Sequence, residues 1–360
     1  MAKGLTTGLL CLLLLLTAGC GGLRTTPPAA DPGEVRQEGQ LNLLACVNED
    51  VVRAVAERFT ERTGYPVTYS CVPAIQAKEL LMDDAGQVDV FWGATADAHR
   101  RLADAGLLLR QPMEQQGIAR FYLDSNRYWM AVSVELLSIG VNPQALQREL
   151  GEDAVPPRTL EELTHPRYRG KLVLPDLNTS YSGTLLAASV LRTHGDQRGT
   201  QLLEELWANT AEFAQTDLLA AQKVALGVYP ITVGYYSDQL RMSQAGLPVQ
   251  SQVYTVAGWT VSPASATLRG GNRTQAQAFL DFLLSAEVQE MIGALDQAIS
   301  VREDIQAPEH LDVTILDFTV SSAARVNTSY FKDEQVMTLY DRVREQNHGA
   351  IYADQRQPTN

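Results

Sequence analysis

From Leu41 onward short apolar runs alternate with amphipathic stretches, and this rhythm limits the chain to few architectures. The runs at 41–46, 67–71 and 88–92 predict strands; the stretches at about 49–63, 74–84 and 95–105 predict helices. In the first of these helices Val51, Val52, Val55, Ala56 and Phe59 recur at three-to-four spacing, and Gly64 ends it. Strand, helix and strand in succession form βαβ units, so the expected fold class is α/β, a mainly parallel sheet flanked by helices. Ligands of such sheets bind beyond the carboxyl ends of the strands. The loops Cys46 to Asp50, Ser70 to Ile75 and Trp92 to Thr95 are therefore expected to line one rim of a site.

A long extended segment, Tyr128 to Asn142, breaks the rhythm and leads into a second α/β stretch. That stretch contains the strand Lys171 to Pro175, helices from about Gly183 to His194 and Gln197 to Ala208, and the strand Ile231 to Gly234. A second extended segment, Val253 to Ala266, is followed by helices at Thr274 to Leu284 and Ala286 to Leu295. Two crossings that enclose a complete α/β unit predict an inserted lobe. The expected division is 41–134 and 259–345 for lobe 1, 135–258 for lobe 2, and a polar tail at 346–360 whose final dozen residues are expected to be unstructured. A length of 360 residues suffices for two cores.

The first twenty residues carry a separate message. Lys3 precedes an apolar stretch, Leu9 to Leu16, and Leu16-Thr17-Ala18-Gly19-Cys20 follows. The stretch is shorter than the roughly 20 residues a membrane span needs. It resembles the lipobox of bacterial lipoproteins, which implies a signal peptide at 1–19, an acylated N-terminal Cys20 and a tether at 20–40 containing Pro27-Pro28 and Pro32. An ordinary signal peptide with an incidental Cys20 is the alternative. The lipid reading makes the protein an exported one, anchored in the bacterial cell envelope on its periplasmic or extracellular face. A net charge of −13 argues against nucleic acid as a partner, because phosphate affinity comes from Lys and Arg. It leaves an anionic small ligand open, since screening within about 8 Å lets a pocket differ from the global field.

Cys46 and Cys71 each close an apolar run, so neighbouring parallel strands would bring them to one edge. A disulfide is expected in an oxidising compartment; two half-buried thiols or soft ligands beside the pocket are the alternatives. No nucleophile elbow, His-Glu-x-x-His, Walker loop or dinucleotide glycine motif occurs, so neither enzyme activity nor a cofactor is expected; a hydrolase whose Ser, His and Asp meet only in space, or a structural surface lipoprotein, is the remote alternative.

Several segments carry a resemblance: Leu41 to Leu44 before a turn and helix, Phe59 to Val67, Val88 to Trp92, Leu163 to Leu172, Ser182-Gly183-Thr184 and Ala278 to Gln289. In their order and spacing the chain resembles a type 2 periplasmic binding protein, within the branch of ferric-ion, 2-aminoethylphosphonate and sugar-phosphate receptors of ABC importers. The resemblance implies two hinged lobes that close on a small-molecule solute, and a monomer that then docks onto an ABC permease and its ATPase.

The resemblance also implies ligand contacts at Ser182, Gly183 and Thr184, where a helix N-terminus offers free amides and a favourable dipole to an anion. A serine there that only caps the helix is the competing reading. Tyr235 and Tyr236 follow a strand, at the end where a site belongs. They are similar to the phenolate pair of some iron-binding relatives, so ferric iron is the alternative ligand; consecutive strand residues, however, point to opposite faces. The five histidines, at 99, 165, 194, 310 and 348, never approach metal-ligand spacing, and no metal is otherwise expected. The favoured solute is an organic anion with a phosphonate, phosphate or carboxylate head. Trp92, Trp259 and Tyr235 would wall its organic part, Asn48, Glu49 and Thr95 would line the rim with Glu49 meeting any amine, and Arg241 and Arg269 would supply counter-charge. Each aromatic has core packing as its alternative role.

Overall fold

In the computed structural model, residues 39–83, 87–112, 117–118, 120–252, 258–306 and 334–354 are described. The leader with Cys20, most of the tether, residues 253–257 of the second crossing, residues 307–333 and the last six residues lie outside them.

The first lobe opens as the apolar rhythm demands. Strand β1 (Leu41–Cys46) pairs in parallel with β2 (Val67–Cys71) and β3 (Val90–Gly93), and helices α1 (Glu49–Thr63), α2 (Ala74–Met82) and α3 (Ala96–Asp104) connect and follow them. Helix α1 keeps its forecast boundaries because both ends are capped. The Asn48 side chain accepts from the Asp50 amide, and Gly64 takes a left-handed φ of 75°. Strand β3 starts at Val90, and the buried Asp89 just before it accepts through its carboxylate from the amides of Asn42 at 2.8 Å and Asn272 at 3.0 Å.

Strand β4 (Met130–Val141) is the first crossing and β9 (Trp259–Ala266) the second. Between them lie α4 (Pro143–Leu150), α5 (Leu160–Leu163), β5 (Leu172–Pro175), α6 (Tyr181–Ala208), β6 (Thr210–Ala214), α7 (Asp217–Ala225), β7 (Ile231–Tyr235), α8 (Tyr236–Gln244) and β8 (Gln250–Gln252). Helices α9 (Arg273–Leu283) and α10 (Ala286–Asp296), the short strand β10 (Ile299–Ser300) and helix α11 (Glu334–Asp354) complete the order. Among the described residues the strands join one sheet along β2-β1-β3-β9-β4-β7-β5-β6. The flanks are parallel, whereas the crossings are antiparallel to their neighbours. Strand β4 pairs with β9 as far as Leu136↔Trp259 and with β7 from Leu137↔Tyr235. One continuous strand thus serves both lobes and changes partner between two adjacent residues, which is the geometry of a hinge.

Each lobe has its own core. Phe59, Trp92, Trp259 and Phe279 fill the first; Leu137, Leu174, Leu203 and Trp207 fill the second. Helix α11 belongs to the second core through Val336, Leu339, Tyr340 and Val343. The Tyr340 ring meets Trp207 and Phe213 edge-on at 5.0 Å, and its hydroxyl accepts from the Leu177 amide at 3.1 Å. Two expectations are corrected here. The stretch to 345 does not all pack with lobe 1, and the tail expected from 346 is helical to Asp354. An amphipathic stripe fixes which face is buried but not which of two cores buries it. The two helices expected between Gly183 and Ala208 are both present within α6, separated where Gly195 takes a non-helical conformation with a φ of 73°.

The expected Cys46–Cys71 disulfide is also corrected, as both are free thiols. The register sets Ala45, not Cys46, opposite Cys71. Because side chains alternate across a strand, the two sulfurs fall on opposite faces, Cys46 packing with the Leu44–Phe91 cluster and Cys71 against the main core. Burial raises both thiol pKa values, that of Cys71 to about 11.

Candidate functional site

The carboxyl ends of β1 and β3 face those of β5, β6 and β7 across the hinge, where βαβ topology places ligands. On the first lobe, Gly93 and Ala94 turn through left-handed φ values of 100° and 62°, and a Cβ on Gly93 would lie 3.0 Å from the Cys46 carbonyl carbon. This tight turn delivers Thr95, buried, to cap α3 by accepting from the Ala98 amide at 3.2 Å. On the second lobe Ser180 caps α6, accepting from the Gly183 amide at 3.3 Å. Between the lobes lies a cavity of about 170 Å³, lined by Lys78, Thr95 and Arg101 on one side and Thr179, Tyr181 and Thr184 on the other. Arg101 donates to Asp97 at 2.9 Å; Lys78, half-buried, makes no ion pair among the described residues.

The floor of the cleft is acidic. Glu135, one residue before β4 changes partner, accepts from the Ser237 hydroxyl at 2.9 Å. Arg241 pairs with Asp238 on its own helix and with Asp296, at 3.3 Å, at the end of α10. Asp296 also accepts from the Asn48 amide nitrogen at 3.2 Å, so the network ties α8 to the first lobe. Loss of water raises the Glu135 carboxyl to about 8, with Asp296 and Asp238 adding to the rise. Burial likewise brings Asp238 to about 7 against the pull of Arg241, and raises Asp296. Tyr235 is pushed well above its usual range by burial and by the neighbouring Asp217 and Glu135. Asp217 is raised by burial, although its carboxylate accepts the hydroxyls of both Ser180 and Ser182.

The residues expected to form the site divide into three groups. Thr95 and Thr184 line the cavity, while Asn48, Tyr235 and Arg241 lie outside its lining, among the acidic groups near the hinge; Glu49 is exposed at the start of α1. Ser182 and Gly183 are buried within the second lobe. The Ser182 hydroxyl is spent on Asp217, and a Cβ on Gly183 would lie 2.9 Å from the Pro175 carbonyl oxygen, so this glycine serves helix–strand packing. Trp92 and Trp259 are core residues at 1% and 0% exposure and do not wall the cleft. Tyr236 packs in the first core while Tyr235 packs toward the second, so the two phenols diverge and offer no joint ligand pair. Arg269 donates to the Leu81 carbonyl on α2, away from the cleft. Among the described residues no group of three or more His, Cys, Asp or Glu could hold a metal ion.

Sequence reasoning missed Lys78, Arg101, Tyr181, Glu135 and Asp217. Asp217 was within reach, because it follows the carboxyl end of β6 and the helix cap Thr216, but β6 was not recognised. Tyr181 lies between two residues already singled out, whereas Lys78 and Arg101 carried no signal beyond helical charge.

Two α/β lobes on a shared antiparallel hinge, with a polar cleft between facing strand ends, define a solute-binding protein of the periplasmic type. The family model of bacterial extracellular solute-binding proteins matches residues 88–312. An uncharacterized protein of Haemophilus influenzae is 24% identical over 276 residues, covering 72% of this chain and 76% of that one. Iron-bound HitA from Pseudomonas aeruginosa superposes with a TM-score of 0.71 at 20% identity, over 84% of this chain and 99% of that one. AfuA from Actinobacillus pleuropneumoniae, with exogenous fructose-6-phosphate bound, gives 0.74 at 18% identity, over 85% and 98%. The chain belongs to the bacterial extracellular solute-binding protein family. It is an exported, non-enzymatic solute receptor with the type 2 periplasmic binding protein fold, serving an ABC importer.

Proposed function

We propose that this receptor is lipid-anchored through Cys20 and, as a monomer, delivers a small organic solute with an anionic head to its ABC permease and ATPase. Lobe 2 comprises residues 135–258 together with α11, and lobe 1 the remainder of the folded body. The head, a phosphonate, phosphate or carboxylate, sits in the inter-lobe cavity against Lys78 and Arg101. The observation that carries this is Lys78, a half-buried cation facing the cavity with no ion pair among the described residues. An anionic ligand in the cavity would supply its counter-ion through a charge-assisted hydrogen bond. The sugar phosphate bound by AfuA lends support to this class. Iron, bound by HitA, is disfavoured here by the divergence of Tyr235 and Tyr236.

A thermal-shift panel of organophosphonates, organophosphates and carboxylates tests the reading. A true ligand at a hundred times its dissociation constant is expected to stabilise the protein by about 2.7 kcal/mol. Lys78→Ala is expected to weaken that ligand at least tenfold, about 1.4 kcal/mol, without lowering the melting temperature of the empty protein. A panel with no hits, together with a coloured ferric complex, would reverse the assignment.

A further inference from the structure

Helix α6 presents two side-chain donors at its start, the hydroxyls of Ser180 and Ser182, and both are given to one oxygen, Oδ1, of Asp217. The Ser182 backbone also hydrogen-bonds this carboxylate. Asp217 is fixed in turn by its place as the first residue of α7, whose cap Thr216 accepts from the Leu219 amide at 3.1 Å. A carboxylate of the chain itself therefore occupies the donors that a bound oxyanion would use at this helix. Asp217 is only half-buried and lies close enough to Tyr235 and Asp238 to raise the pKa of both, so its charge is felt across the cleft floor.

We infer that Asp217 is a specificity-determining residue: its fixed carboxylate fills the Ser180–Ser182 donor set, keeps phosphate-type oxyanions off the cleft floor, and confines an anionic head to the Lys78–Arg101 side. The inference rests on the receptor reading above and deepens it. It assigns the solute a second requirement, a hydrogen-bond donor such as a hydroxyl or amino group on the end that faces Asp217. It also implies that the helix start is not an open anion site, although its sequence resembles one.

Inorganic phosphate is a sufficient probe, because it reports the floor independently of the natural solute. Asp217→Asn preserves size while losing the charge, and its neutral amide oxygen holds the two serine hydroxyls less tightly than the carboxylate does, so that phosphate can compete for them. Calorimetric titration of phosphate into wild type, Asp217→Asn, Lys78→Ala and the double variant, each first shown to melt cooperatively, separates the two sites. Asp217→Asn is expected to bind phosphate at least tenfold more tightly than wild type, with the gain retained in the Lys78→Ala background. Should Asn disturb the fold, Asp217→Ser provides the same loss of charge. Equal phosphate affinity in wild type and the Asp217 variants would overturn the inference, as would a gain that disappears with Lys78. The rim reading fails separately, if Lys78→Ala leaves the affinity of the panel's ligand unchanged.

Discussion

Truncation of Trp259 to alanine is expected to cost about 3–5 kcal/mol of folding stability, a large share of what a protein of this kind possesses. The indole is fully buried in the first core and lies edge-on to Tyr122 at a centroid distance of 6.3 Å. Its backbone is the partner of Leu136, the last β4 residue to pair with β9 before the hinge passes to β7. The lost ring would leave a cavity where two lobes share a strand, and neither strand can move to fill it without breaking pairing on the other side. Urea denaturation followed by circular dichroism measures the effect. A loss below about 1 kcal/mol would mean that the ring is not packed as described and would reopen its role as a ligand wall.

The second large effect is a fall of stability with rising pH that originates at Glu135. Its carboxyl holds a proton in the folded state up to about 8, whereas in the unfolded chain it ionises near 4.5. Between these values the folded protein binds a proton that the unfolded chain has released, so stability declines as pH rises through this window and levels off above it. The slope from one such group is at most about 1.4 kcal/mol per pH unit. Asp238, raised to about 7, acts in the same direction at the lower end of the window, and Arg241 moderates both. Glu135→Gln keeps an acceptor for Ser237 and cannot ionise. It is expected to flatten the profile between pH 6 and 8 and to be more stable than wild type at pH 8.5, as read from denaturation midpoints across pH. A variant with the wild-type slope would show that Glu135 is ionised and solvated in the folded protein.

These acids lie where the two lobes meet, which is why they escaped a reading of the sequence. The βαβ rhythm from Leu41, the capped helix that ends at Gly64 and the two crossings were all legible, because periodicity and capping are local properties of a chain. The strand-end rule likewise pointed to Thr95, which lines the cavity between the lobes. Matters decided by long-range geometry were not legible. The Trp92 and Trp259 rings look alike on a strand whether they face a core or a cleft, and the structure buries both. Cys46 and Cys71 end neighbouring strands as expected, but a single residue of register puts their sulfurs on opposite faces. Ser182 and Gly183 stand at a helix start with the composition of an anion site, and only the arrival of Asp217 from 35 residues further on shows that the donors are taken. Asp296 reaches Arg241 from across the hinge and Asn48 from the far end of the same lobe, beyond the reach of any spacing rule.

In the proposed receptor, the cleft between Lys78, Arg101 and the start of α6 holds a small organic solute by pre-placed polar groups. Mass spectrometry of small molecules released on denaturing freshly purified protein tests it most directly. The expected result is one compound, near equimolar with protein, carrying an anionic head and at least one hydroxyl or amino group, and markedly depleted in Lys78→Ala. Recovery of iron alone, or of a compound without an anionic group whose yield is unaffected by Lys78→Ala, would contradict it.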